Sequence, residues 1–251
     1  VTSPEETHSR LGLAPPEGGL SSEAESALLW ELSDNAPPDE VSVALRVVAG
    51  RGRADAHLVA RADEGKFDVI IVGQRGHSLV EQIWRGSIAR GVLQSSPVTV
   101  ATVPIPIGQV DTSFRPPWVV VVSIGFTETD HRALAHAIGY AAEGATVHIA
   151  HVLGPYDLPS ELRRAREDAW HRLSKLARGV AVERSISIEK HVLAGLPPEQ
   201  LLALSERVGA DLLVLGSRRR TAVGRVLRGS LVQAIIEESR FPVLVVPARS
   251  V

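Results

Sequence analysis

An α/β fold built twice is predicted from three observations. The stretch GQRGHSLVEQIWRGS at 73–87 recurs as GSRRRTAVGRVLRGS at 216–230, a displacement of 143 positions. Each copy follows an apolar run ending in Gly, DVIIVG at 68–73 and DLLVLG at 211–216, whose β-branched content reads as a buried strand. Each copy then passes through Gly-Ser into an apolar-periodic helix, IARGVLQ at 88–94 and LVQAIIEE at 231–238, before a last strand in PVTVATVP at 97–104 and PVLVVP at 242–247. A repeat of this length means two copies of one domain. Strands that alternate with helices imply a parallel sheet covered on both faces, because parallel strands need crossover connections. The expected architecture is two tandem doubly wound domains, 1–110 and 111–251.

The second copy can be followed from end to end. WVVVVSI at 118–124 reads as a strand, and TETDHRALAHAIGYAAEG as a helix with Thr127 or Thr129 as N-cap and Gly144 as its C′ stop. TVHIAHV at 146–152 is the second strand, and 158–178 a helix with Leu162, Ala165, Ala169, Leu173 and Leu176 at helical spacing. ERSISIEKHVLAG is the third strand, and a helix over 197–208 opens on Pro197 and Pro198, which the first turn tolerates. With 211–216, 231–238 and 242–247 the order is βαβαβαβαβ.

The first copy offers a helix at 21–35, a strand at 41–48, a helix at 53–64, a strand at 68–72, a helix at 86–95 and a strand at 97–103. Nothing before residue 20 resembles an opening βαβ unit, and no methionine occurs even at position 1, so the expectation is that the chain begins inside domain one. An upstream segment, or a strand from another chain, would then cover the flank of its sheet. Gly86 to Pro97 spans 11 positions against 13 for Gly229 to Pro242, which predicts a local deletion in the first copy.

Composition bounds the function. At 251 residues and 44% hydrophobic content the chain can fill two cores. No apolar run approaches the roughly 18 residues of a membrane span, and the acidic start is not a signal peptide. Zero cysteines exclude disulfides, thiolate chemistry and Cys-ligated metals, leaving a cytoplasmic location as the default. A net charge of -2 argues against an extended nucleic-acid surface.

The glycine stretch carries the chemistry. Gly73, Gly76, Gly86 and Ser87 place small residues between the carboxyl end of a parallel strand and the N-terminus of the next helix, where open α/β sheets bind ligands. Glycines let backbone approach a phosphate, while helix N-terminal amides and a Ser hydroxyl donate to its oxygens. A turn that uses Gly for conformation alone is the plainer reading of any single one of these glycines, but not of the spacing as a whole. In its glycine spacing the chain resembles the universal stress protein family, whose ATP-binding members carry G-x-x-G-x9-G-[S/T] between the fourth strand and fourth helix. The match is complete at Gly73, Gly76, Gly86 and Ser87, whereas the second copy keeps Gly216, Gly229 and Ser230 but has Arg219 in place of the second Gly.

The resemblance implies a five-stranded parallel sheet in each domain and binding of ATP, with or without Mg2+, in a regulatory role in stress tolerance without defined turnover. The site residues it implies are Gly73, Arg75, Gly76, Gly86, Ser87 and Ile88, with Gly216, Arg219, Gly229 and Ser230 as a degenerate second site. It further implies that the closing strands pair across a pseudo-twofold axis, and it is compatible with a homodimer. The family's nucleoside-holding Asp closes the first strand; in domain two that stretch reads VVVVSIGFTETD, with Ser123 or Gly125 at the position and no carboxylate before Glu128. Poor ATP binding is therefore expected of domain two.

Other signals are weaker. VVAGRGRAD at 47–55 nearly spells a dinucleotide fingerprint, but Asp55 stands where the third Gly is needed. Arg218, Arg219, Arg220, Arg225 and Arg228 form a basic run that reads as a polyphosphate grip, an acidic-partner surface or a solvated face. His148 and His151 lie three apart on a strand and so face opposite sides, and His131 and His136 are five apart on a helix; neither pair suggests a metal. No catalytic constellation or P-loop stands out, and ATP hydrolysis is left open. The competing function is a ligand-free interaction module.

Overall fold

The computed structural model describes residues 53–65, 67–74, 87–104, 116–154, 159–179, 185–217 and 230–248. In chain order these form α1 (Ala54–Glu64), β1 (Val69–Gln74), α2 (Ser87–Ser95), β2 (Thr99–Pro104), β3 (Val119–Ser123), α3 (Asp130–Tyr140), β4 (Thr146–Leu153), α4 (Pro159–Gly179), β5 (Ser187–Ala194), α5 (Pro197–Val208), β6 (Leu212–Gly216), α6 (Ser230–Glu238) and β7 (Val243–Val246). The helix and strand read at 21–35 and 41–48 lie outside the described residues.

The seven strands make one sheet in the order β1-β2-β7-β6-β3-β4-β5. The β3 strand pairs parallel with both β4 and β6, β4 with β5, and β6 with β7, so the second half is a doubly wound sheet whose strand order reverses between β3 and β6. In the first half β1 pairs parallel with β2. The two halves meet at β2 and β7, which pair antiparallel about Ala101 and Leu244. Apolar edges such as these invite association when left open. Here each strand covers the other, as the family resemblance implies.

Alternation along the strands sorts the core into two layers. On one face Val120, Val122, Val147, Ile149, Val214, Leu244 and Val246 pack under α3 and α4 through Ala133, Leu134, Ala137 and Leu173. On the other, Val121, Ala150, Leu213, Leu215, Val243 and Val245 pack under α5 and α6 through Leu201, Leu204 and Ile235. In the first half Ile70 and Val100 pack with Ala62 of α1 and Val92 of α2. Fully burying such a side chain stabilises by about 1.5–3 kcal/mol.

Several boundaries differ from expectation. Thr129 precedes α3 in helical conformation and makes no side-chain cap bond. The helix ends at Tyr140, where Ala141 turns extended, and Gly144 instead supplies a left-handed residue (φ 77) to the turn into β4. The length difference between the repeats lies after the helices, since α2 and α6 both have nine residues. Ser96 and Ser239 then play the same part: each bonds its amide to the helix carbonyl four back, and its hydroxyl to the carbonyl two residues on. The chain from Ser96 reaches β2 one residue sooner than the chain from Ser239 reaches β7.

Asp55 is buried at the start of α1, where its carboxylate accepts from Arg53 Nε at 2.9 Å. That bond is the main reason its pKa lies below the usual carboxylate value. A Cβ placed on Gly91 would lie 1.7 Å from Asp55 Oδ2, so Gly91 lets α1 and α2 approach closely. The Asp that interrupts the dinucleotide pattern therefore serves helix packing.

Candidate functional site

Both glycine motifs begin at corresponding places in the sheet. Gly73 closes in on the end of β1 opposite Val103 of β2, and Gly216 is the last residue of β6, opposite Val246 of β7. The helices that follow open at Ser87 and Ser230. Strand ends thus feed helix N-termini, whose first-turn amides have no intrahelical acceptor. Ile88 is exposed in the first turn of α2, while Ala89 beside it is buried. Arg75, Gly76 and Gly86 lie outside the described residues, as do Arg219, Gly229 and the arginine run around it.

The reversal between β3 and β6 marks the crevice where a doubly wound sheet admits a ligand. In the second half the β3–α3 loop packs against the end of β6. A Cβ on Gly216 would lie 2.7 Å from Thr129 Oγ1, so the glycine is required by the β3–α3 loop that closes over it. Thr129 Oγ1 lies 2.9 Å from Thr127 Oγ1, and the Thr127 hydroxyl donates to Asp130 Oδ1 at 3.1 Å. The same buried carboxylate accepts from the amides of Thr127 at 2.7 Å and Gly125 at 3.3 Å. A carboxylate does stand near the end of the first strand, seven residues past Ser123, but its oxygens are engaged by the loop.

Beside it, Phe126 adopts a positive φ of 55, rare for a bulky residue. This turns its ring against His151, 4.3 Å between centroids, with the Arg172 guanidinium 3.8 Å over the ring. His151 donates from Nδ1 to the Ile124 carbonyl at 2.7 Å, which fixes its tautomer. The loop between β3 and α3 is thereby held by side chains from β4 and α4.

A second cluster had no signal in the linear order. His148 on β4 faces Glu189 and His191 on β5, with His148 Nδ1 2.9 Å from His191 Nε2 and 3.4 Å from Glu189 Oε2. The partner of His148 is therefore across the strand pair, 43 residues away, and not His151. Burial lowers the pKa of both imidazoles, and the charge of His148 lowers that of His191 further. His136 is half-buried and stacks on Tyr140 at 6.0 Å, and His131 is exposed.

A mixed sheet of doubly wound α/β halves, with a glycine at the carboxyl end of β1 and of β6 and a helix following each glycine stretch, defines a tandem-repeat α/β protein. The model of the universal stress protein family matches residues 1–104 and 119–247, and the chain belongs to that family. It is 30% identical over 139 residues to a universal stress protein of Methanocaldococcus jannaschii, covering 51% of this chain and 80% of the relative. It is 28% identical over 138 residues to universal stress protein G of Shigella flexneri, covering 51% of this chain and 96% of that one. The crystal structure of a universal stress protein from Archaeoglobus fulgidus superposes with a TM-score of 0.57 at 24% identity, covering 93% of this chain and 82% of the other. That likeness speaks for the fold. Among the described residues no helix is long and apolar enough to cross a membrane.

Proposed function

We propose that the protein is a nucleotide-binding regulator with one working site per chain, formed by the glycine stretch of the first half and taking ATP. The observation that carries this reading is the unbroken spacing of Gly73, Gly76, Gly86 and Ser87 on a strand-to-helix connection. Glycine amides and the first turn of α2 can together surround a polyphosphate. Arg75 within that stretch and Ile88 directly after it complete the proposed contact set, with or without Mg2+. The second half is read as a site closed by Thr129 and Phe126, and it also has Arg219 at the position of a phosphate-approaching glycine. Its part is to present β7 to β2 and so support the first half.

The role is regulatory: bound nucleotide stabilises one conformation or assembly, and the domain boundary lies near 110. Analysis of nucleotide retained by the purified protein tests the reading. The expected result is adenine nucleotide carried by the unaltered chain and none by Gly76→Arg, which copies the second repeat, with an unchanged circular dichroism spectrum. Nucleotide-free protein that also ignores added ATP would favour the interaction-module reading.

A further inference from the structure

His148 occupies an unusual place for a histidine. It is 6% exposed on a strand whose neighbours Val147 and Ile149 are wholly buried, on the sheet face covered by α5. A polar group there needs a partner. It has His191, itself one-fifth exposed, and Glu189, whose side chain is 57% exposed on the edge strand β5. The register sets these three together, because His148 lies opposite Glu189, and His191 is two residues further along.

The three facing atoms form a triangle with sides of 2.9 Å between His148 Nδ1 and His191 Nε2, 3.4 Å between His148 Nδ1 and Glu189 Oε2, and 4.0 Å between His191 Nε2 and Glu189 Oε2. The circumradius of a triangle with those sides is about 2.0 Å, the length of zinc–nitrogen and zinc–oxygen bonds. Two imidazoles and one carboxylate are also the donor set that suits a borderline divalent cation and leaves a position for water. We propose that His148, Glu189 and His191 form a three-ligand site for a zinc-class cation, with solvent completing the coordination. Glu189 provides the entry path and the charge that offsets Arg207, whose field reaches both histidines. Binding replaces the hydrogen bond between the rings: the proton shared between Nδ1 and Nε2 moves to the outer nitrogen of its ring, so no net deprotonation is required.

The test is zinc titration of the full chain, after chelator treatment, in competition with a chromophoric zinc chelator. One equivalent should bind to the unaltered protein. Glu189→Gln and His191→Ala should each weaken binding about 10–100-fold or more, since loss of even an outer-shell partner costs that much. His131→Gln, on an exposed turn of α3, should bind as the parent does. Circular dichroism checks the fold of each variant, and if His191→Ala does not fold, Glu189→Gln decides, because that side chain is mostly in solvent. Failure of the unaltered chain to take zinc from the chelator would leave the pair a structural His–His hydrogen bond and overturn the proposal. So would equal affinity in folded Glu189→Gln.

Discussion

At the scale of the residue, Gly216 of the second glycine motif has a packing reason to be glycine. Gly216 is needed because Thr129 occupies the space where its Cβ would go. Gly216→Ala should therefore destabilise the protein by about 1–3 kcal/mol through overpacking. Combining it with Thr129→Ala should recover part of that loss, a coupling of about 0.5–3 kcal/mol in a double-mutant cycle by denaturant unfolding. Strictly additive losses would mean that the loop does not press on Gly216. A second expectation concerns protons. Burial first, and the Arg132 charge second, lower the pKa of His136 below its ordinary 6.5, against a raising effect from Asp68. The unfolded chain then takes up the proton first, so stability is full above about pH 6.5 and falls as pH drops through the folded-state value. His136→Asn should make the decline in Tm between about pH 7.5 and about pH 5.5 shallower; an unchanged slope would assign the decline to other groups.

At the scale of the element, the β2–β7 pairing joins the two halves. Val100 pairs with Val245, Ala101 with Leu244 and Thr102 with Val243, and the buried Thr102 hydroxyl donates to the Val243 carbonyl at 3.4 Å. Across the neighbouring helices Arg90 and Glu237 add an exposed ion pair at 3.8 Å, worth little in stability. Proline cannot donate to a ladder. Ala101→Pro should thus reduce amide-exchange protection at both 99–104 and 243–246, whereas loss confined to 99–104 would show that β7 stands without its partner. The parallel order of the second half was legible in the sequence because strands such as VVVVS and LLVLG are buried on both faces and read as unbroken apolar runs. The end of α3 was misread because Gly144 has the expected left-handed backbone but uses it to enter β4. The histidine cluster was invisible for a different reason: its members meet through the register of β4 on β5, which no linear spacing encodes.

At the scale of the whole molecule, one sheet runs through two repeats whose glycine stretches differ. The glycine stretch of the first half keeps the full spacing Gly73, Gly76, Gly86 and Ser87, and in the second half the β3–α3 loop packs on Gly216 and is held through Phe126 and Asp130. The first half's candidate site rests on spacing alone, since Gly76 and Gly86 lie outside the described residues. The packing of Thr129 on Gly216 was not legible, because the two lie far apart in sequence and meet only through the fold. The central claim is an asymmetric pair of halves with a single nucleotide site, and isothermal titration of the full chain with ATP tests it most directly. The account predicts one ATP per chain, lost in Gly76→Arg and retained in Gly229→Ala. Two ATP per chain, or one whose affinity follows Gly229 and ignores Gly76, would contradict it.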